Sequence, residues 1–260
     1  MQTDRAVARQ ASKRFSIGDS PWHECCNRLA QLRQKSPKAG IVRGGLNISG
    51  GSYACTVGWG QAMCSENLFM NCYFSRGGTI PYTGSGLYIR NYNALGNTVI
   101  GGNIAQCGYG IYVHAGSAPT IYGVGFQNYT IWGGQPLCYP GIDIYIENSA
   151  GDAYAISGCR SESDNFLKIG QPITTVSVNG CTLLGSNPGF FFFGSGNIII
   201  NGWQARAGKI TAQNASVILN GCSFPADYLK DPVKGSTFNY SDQPNAGYRN
   251  HGCAIHHQRV

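Results

Sequence analysis

The chain has 260 residues, a formal net charge of +7 and only 12% charged residues, with 37 Gly and 11 Cys. A helical protein would carry more Ala, Leu, Glu and Lys, whereas abundant Gly, Asn, Ile and Tyr point to many short strands joined by tight turns. No apolar run approaches a membrane span, and an odd Cys count without CxxC spacing argues against a disulfide-rich secreted scaffold.

Residues 1–43 hold nine Lys and Arg against three Asp and Glu, so nearly all the net charge sits there. The arm reads as a solvated basic leader rather than a nucleic-acid arm. It lacks the apolar core of a signal peptide, so a cytoplasmic or virion-associated protein is expected. Ser20-Pro21 fits an N-cap followed by Pro at the first helical position. Trp22, Cys25, Cys26, Leu29 and Leu32 then give one apolar face, which predicts a capping helix over about 21–35.

Residues 44–224 are organised by two alternating patterns. The first is clearest in Thr-Val-Ser-Val-Asn-Gly-Cys (175–181), Ile-Ile-Ile-Asn-Gly-Trp (198–203) and Val-Ile-Leu-Asn-Gly-Cys (217–222). Looser copies end at Cys72, Asn103, Phe126 and Cys159, and the unit length is near 22 residues with two longer units. The second pattern includes Gly-Leu-Tyr-Ile-Arg-Asn (86–91), Gly-Ile-Tyr-Val-His (110–114), Asp-Ile-Tyr-Ile-Glu-Asn (143–148) and Phe-Leu-Lys-Ile-Gly (166–170). One such unit cannot bury its apolar side alone, but stacked units can. The expected fold is an all-β, single-stranded right-handed parallel β-helix.

Strand alternation assigns the sides. Leu87, Ile111, Ile144, Leu167, Phe191 and Ile210 form one expected inward column, and Ile89, Val113, Ile146, Ile169, Phe193 and Ala212 the next. Asn179, Asn201 and Asn220 precede Gly at bends, where both residue types tolerate a left-handed backbone. Their amides can hydrogen-bond from unit to unit. Cys72, Cys159, Cys181 and Cys222 are expected inward and unpaired, as small hydrophobes.

Unit length, the Asn-Gly bends and the segment Gly-Cys-Arg-Ser-Glu-Ser-Asp-Asn-Phe-Leu (158–167) together resemble the pectate-lyase-like β-helix superfamily. That group holds pectinases, phage tailspike depolymerases and other solenoids. The resemblance covers roughly 44–224 and implies a polysaccharide partner, a tailspike-type role and a homotrimer. Capped members often carry Gly-Asp-Gly and paired Asp before the first helix. Only Gly18-Asp19 remains here, as expected of a truncated or divergent member. Motifs of the polygalacturonases and mannuronan epimerases are absent, so no family catalytic residue carries over.

Chemistry is expected on the outward side of the second pattern. Tyr88, Tyr112 and Tyr145 should form a row extended by Lys168, with Arg90, His114 and Glu147 as a parallel row. Aromatic faces beside charged groups suit a sugar chain, while a Tyr ladder that only braces the sheet gives the same pattern. The insertion 131–141 adds Trp132 and Tyr139 to the candidate carbohydrate surface. Glu147 with His114 is one candidate acid–base pair. Glu162 and Asp164, two residues apart, are spaced for an inverting hydrolase pair; Arg90, His114, Arg160 and Lys168 are candidates for neutralising a uronate. Cys253 with His251, His256 and His257 lacks zinc-finger spacing, and the Gly pairs do not form a dinucleotide fingerprint, so no metal or cofactor is expected. Residues 225–260 lose the pattern and read as a terminal cap and polar tail. The alternative to a glycan protein is a non-catalytic structural solenoid or adhesin module.

Overall fold

In the computed structural model the described residues are 42–50, 52–58, 65–75, 80–91, 93–147, 153–170, 175–185, 189–193, 197–205, 209–213, 216–222 and 237–241. The predicted helix over 21–35, the basic arm to residue 41 and the His-bearing tail lie outside them.

The described chain is all-β, with three sheets of parallel strands and one short antiparallel hairpin. From Val42 to Gln213 it visits the three sheets in strict rotation. The first sheet takes the first sequence pattern (for example Thr175–Asn179). The third takes the second pattern (for example Tyr109–Val113). The second sheet was not foreseen. Its strands, such as Asn103–Ala105 and Thr182–Leu183, have two or three residues and follow the bend at once. They are too short to leave a period-two signature.

Each strand pairs with its counterpart from the previous and the next visit to the same sheet. In the first sheet Phe69, Val99, Ile121, Ile156, Val178, Ile200 and Leu219 align in register. In the second, Phe74, Ile104, Phe126, Ser161 and Leu183 align. In the third, Leu87, Ile111, Ile144 and Leu167 form one aligned column and Ile89, Val113, Ile146 and Ile169 another. These residues are almost wholly buried and belong to one continuous apolar cluster, apart from Ser161. Burying one such side chain stabilises by about 1.5–3 kcal/mol.

Two parts of the expected register are corrected. Leu167 and Ile169 align with Phe190 and Phe192, not with Phe191 and Phe193, because the pairing shifts between Asn165 and Leu167. A bulge of this kind sets two residues of one strand against one of its neighbour. The loose copies ending at Asn103 and Phe126 were also misaligned. Tyr73 pairs with Asn103 and Asn103 with Gly125, so the residues equivalent to Cys72 are Gly102 and Val124. Gly102 is required there: its φ is +81° and an added Cβ would fall 2.0 Å from the Cys72 carbonyl oxygen.

The bends form as their residues dictate. Gly180, Gly202 and Gly221 have φ near +57°. Asn201 Nδ2 donates to Asn179 Oδ1 (2.7 Å), and Asn220 Nδ2 to Asn201 Oδ1 (2.8 Å). Cys72, Cys159, Cys181 and Cys222 are buried, and none forms a disulfide with another described residue. The segment read as patternless contains one more strand, Thr237–Ser241, which pairs in parallel with Ser216–Asn220 in the first sheet.

Candidate functional site

The third sheet positions its outward residues by alternation. With Leu87, Ile111 and Ile144 inward, Tyr88, Tyr112, Tyr145 and Lys168 fall on the opposite side and align in register. Two residues further along each strand, the backbone N–H groups of Arg90, His114 and Glu147 continue the ladder to Val57, Ile89 and Val113. The two expected rows are therefore neighbours on one face.

The rings form a stack. Tyr88 and Tyr112 lie 5.1 Å apart, Tyr112 and Tyr145 5.3 Å, and Lys168 Nζ stands 5.0 Å over the Tyr145 ring. Two further tyrosines join them that the sequence pattern did not single out. Tyr53 stacks on Tyr88 at 4.3 Å, and Tyr109 packs against both Tyr112 (4.9 Å) and Tyr145 (5.4 Å). Both occupy the first position of the strands Tyr53–Val57 and Tyr109–Val113. Their signal was there as aromatic residues three before the expected row. Because the rings cover one another, Tyr88 is only 8% exposed.

Glu147 ties the two rows together. It accepts a hydrogen bond from the Tyr112 hydroxyl and pairs with His114 Nδ1 at 2.6 Å. Partial burial opposes its ionisation. The hydrogen bonds from Tyr112 and His114, with the attraction of His114, outweigh that and hold its pKa below the ordinary value. Burial, then the bond to Glu147 and its negative charge, push the Tyr112 pKa up. Tyr112 therefore stays protonated and Glu147 ionised. Glu147 can orient the imidazole or accept a proton, but it is poorly set to act as an acid.

Beside this cluster is an open pocket of about 250 Å³ lined by Ser52, Tyr53, Thr83, Gly84, Ser85, Tyr109 and Tyr112. Ser85 Oγ is buried and has no hydrogen-bond partner among the described residues. A buried hydroxyl without a partner costs free energy.

The other sequence-predicted residues lie elsewhere. Asp143 is fully buried, accepting from Asn128 Nδ2 (2.9 Å) and from Ser161 Oγ. Asp143 and Glu147 thus do not share a face. Glu162 and Asp164, expected as a pair, are each engaged separately. Glu162 binds Arg160 (2.7 Å) and Gln127, and accepts from Tyr129. Asp164 accepts from the backbone N–H (3.1 Å) and hydroxyl of Thr130. The insertion forms the hairpin Ile131–Trp132 with Gln135–Pro136. Its Trp132 packs on Tyr129 at 4.7 Å, with the Glu162 group rather than with the Tyr stack. Tyr139 is exposed, and its backbone N–H bonds the Tyr82 carbonyl beside the pocket residue Thr83. Comparison with protein-family models, curated proteins and solved structures finds no match to this chain.

Proposed function

We propose that the chain is a right-handed parallel β-helix of the pectate-lyase-like kind, and that the tyrosine face of its third sheet binds an extended acidic polysaccharide. The strict rotation through three parallel sheets supports the fold, since parallel crossover connections are right-handed in nearly all cases. The observation that carries the function is the Tyr112–Glu147–His114 cluster beside an open pocket lined by Tyr53, Tyr109 and Tyr112. Arg90 and Lys168, which share this face with the Glu147–His114 pair, favour an anionic sugar. Because the ring faces stack on one another, contact runs through ring edges, hydroxyls and the more exposed Tyr53. If the bound chain is cleaved, His114 is the proton-transfer group and Glu147 orients it.

A panel of acidic and neutral polysaccharides tests this, with binding read by calorimetry and cleavage by unsaturated products and new reducing ends. Tyr112→Ala is expected to weaken binding of an acidic glycan by about 1–1.5 kcal/mol, as for one aromatic contact. Glu147→Gln is expected to abolish cleavage and leave binding largely intact. Wild-type affinity in Tyr112→Ala would reduce the stack to a brace.

That second reading, a non-catalytic scaffold or one piece of a trimeric spike, is favoured by the mutual stacking itself. Cross-strand aromatic pairs stabilise a sheet without any ligand.

A further inference from the structure

The outer side of the second sheet carries an aromatic–ionic group that the Tyr stack does not use. Glu162 is its centre. Its Oε1 meets Arg160 at 2.7 Å, and its Oε2 accepts from Tyr129 and from Gln127 Nε2 (3.4 Å). A carboxylate held from three sides has a fixed orientation before any ligand arrives. Trp132 lies against Tyr129 yet remains 61% exposed. Arg160 is 63% exposed, and its only ion pair among the described residues is with Glu162. A guanidinium has five N–H donors, so most remain for a ligand.

Gly125 stands between Asn103 and Arg160 in the register of this sheet and has no side chain. Asn103 donates to Gln127 Oε1 (3.3 Å), while its Oδ1 lies over Gly125, 3.0 Å from where a Cβ would stand, buried and without a hydrogen-bond partner among the described residues. An exposed indole, fixed carboxylate, guanidinium and carboxamides are the groups that recognise a pyranose ring: the indole meets C–H faces, and the rest exchange hydrogen bonds with hydroxyls.

Charge selects among sugars. Arg160 is balanced by Glu162, and the Asp164 carboxylate stands nearby on Thr130. The described part of this patch has no net positive charge. We infer that the outer face of the second sheet is a second binding site, separate from the tyrosine stack, and that its ligand is a neutral glycan.

The test uses the full chain titrated with neutral hexasaccharides derived from glucan, mannan and xylan, and with an oligogalacturonate, followed by calorimetry and Trp fluorescence. A neutral oligosaccharide is expected to bind, and Trp132→Ala to weaken it about tenfold, near the upper value for one aromatic platform. Glu162→Gln should weaken it comparably, with circular dichroism confirming the fold. Trp132 is exposed and lies outside the buried apolar cluster, so its removal takes away the contact with Tyr129 and leaves the core intact. Tyr112→Phe separates the two sites: it alters the third-sheet face and should leave neutral binding unchanged. Failure of every neutral sugar to bind overturns the inference. So does unchanged binding in Trp132→Ala, or Trp132-dependent binding confined to the oligogalacturonate. Loss of neutral binding in Tyr112→Phe would assign the glycan to the tyrosine stack instead.

Discussion

Asp143 is the residue whose environment departs furthest from its chemistry. It sits where the preceding strands carry Gly86 and Gly110, at a corner too tight for a side chain in those strands. Burial pushes its pKa up to about 7 from an ordinary 3.8, despite hydrogen bonds from Ser161, Ser163 and Asn128 that favour the anion. The folded protein therefore binds more protons than the unfolded one between those two values. Stability from this group is full below pH 3.8, falls as pH rises through the window, and levels off above about 7. Each unit is worth about 1.4 kcal/mol, so the loss is on the order of 4 kcal/mol. Asp143→Asn keeps the shape and removes the titration. Its thermal midpoint is expected to gain on the wild type progressively from pH 4 to 7 and then run parallel. Parallel curves across the whole range would mean that the carboxyl does not titrate there. None of this was legible in the sequence, where Asp143 is simply the first residue of Asp-Ile-Tyr-Ile-Glu. Its neighbours Asn128 and Ser161 are 15 and 18 residues away along the chain. Tyr53 and Tyr109 were missed for a different reason: a period-two reading does not put the first position of a strand and the fourth on one face. Their stacking brings them together all the same.

Whole elements were far easier to read than their edges. The first and third sheets were legible because five-residue strands such as Thr175–Asn179 and Tyr109–Val113 repeat one alternation several times. The bends were legible because Asn and Gly perform a backbone task that few residues can. The shift beside Leu167 was not, since Phe-Phe-Phe-Phe (190–193) fits either register equally well. The Asn ladder links these elements and can be weighed. Asn201 takes part in two ladder bonds, one to each neighbour. Asn201→Ala removes both, leaving Asn179 Oδ1 without that donor and Asn220 Nδ2 without that acceptor. A loss of about 1–2 kcal/mol is expected, read by chemical denaturation. A change near zero would mean that water replaces the ladder at no cost.

At the scale of the molecule, stacking makes each level depend on the one beside it. Among the described residues, the strand carrying Leu219 is followed in the first sheet by Thr237–Ser241. That strand aligns Phe238 with Val217 and Tyr240 with Leu219, and both of those partners are buried. Without it, the strand Ser216–Asn220 would lose the parallel backbone partners that it has on that side, leaving Val217, Ile218 and Leu219 on an edge among the described residues. Such an edge is a template for pairing with another copy. Re-exposing even one of the two buried side chains costs about 1.5–3 kcal/mol. A chain ending at residue 222 is therefore expected to unfold at lower temperature than the full chain and to self-associate, as read by light scattering during size-exclusion chromatography. A chain ending at residue 241 keeps the pairing strand and is the comparison. If both truncations remained monomeric with the same thermal midpoint, Thr237–Ser241 would not be the element that closes this end of the first sheet.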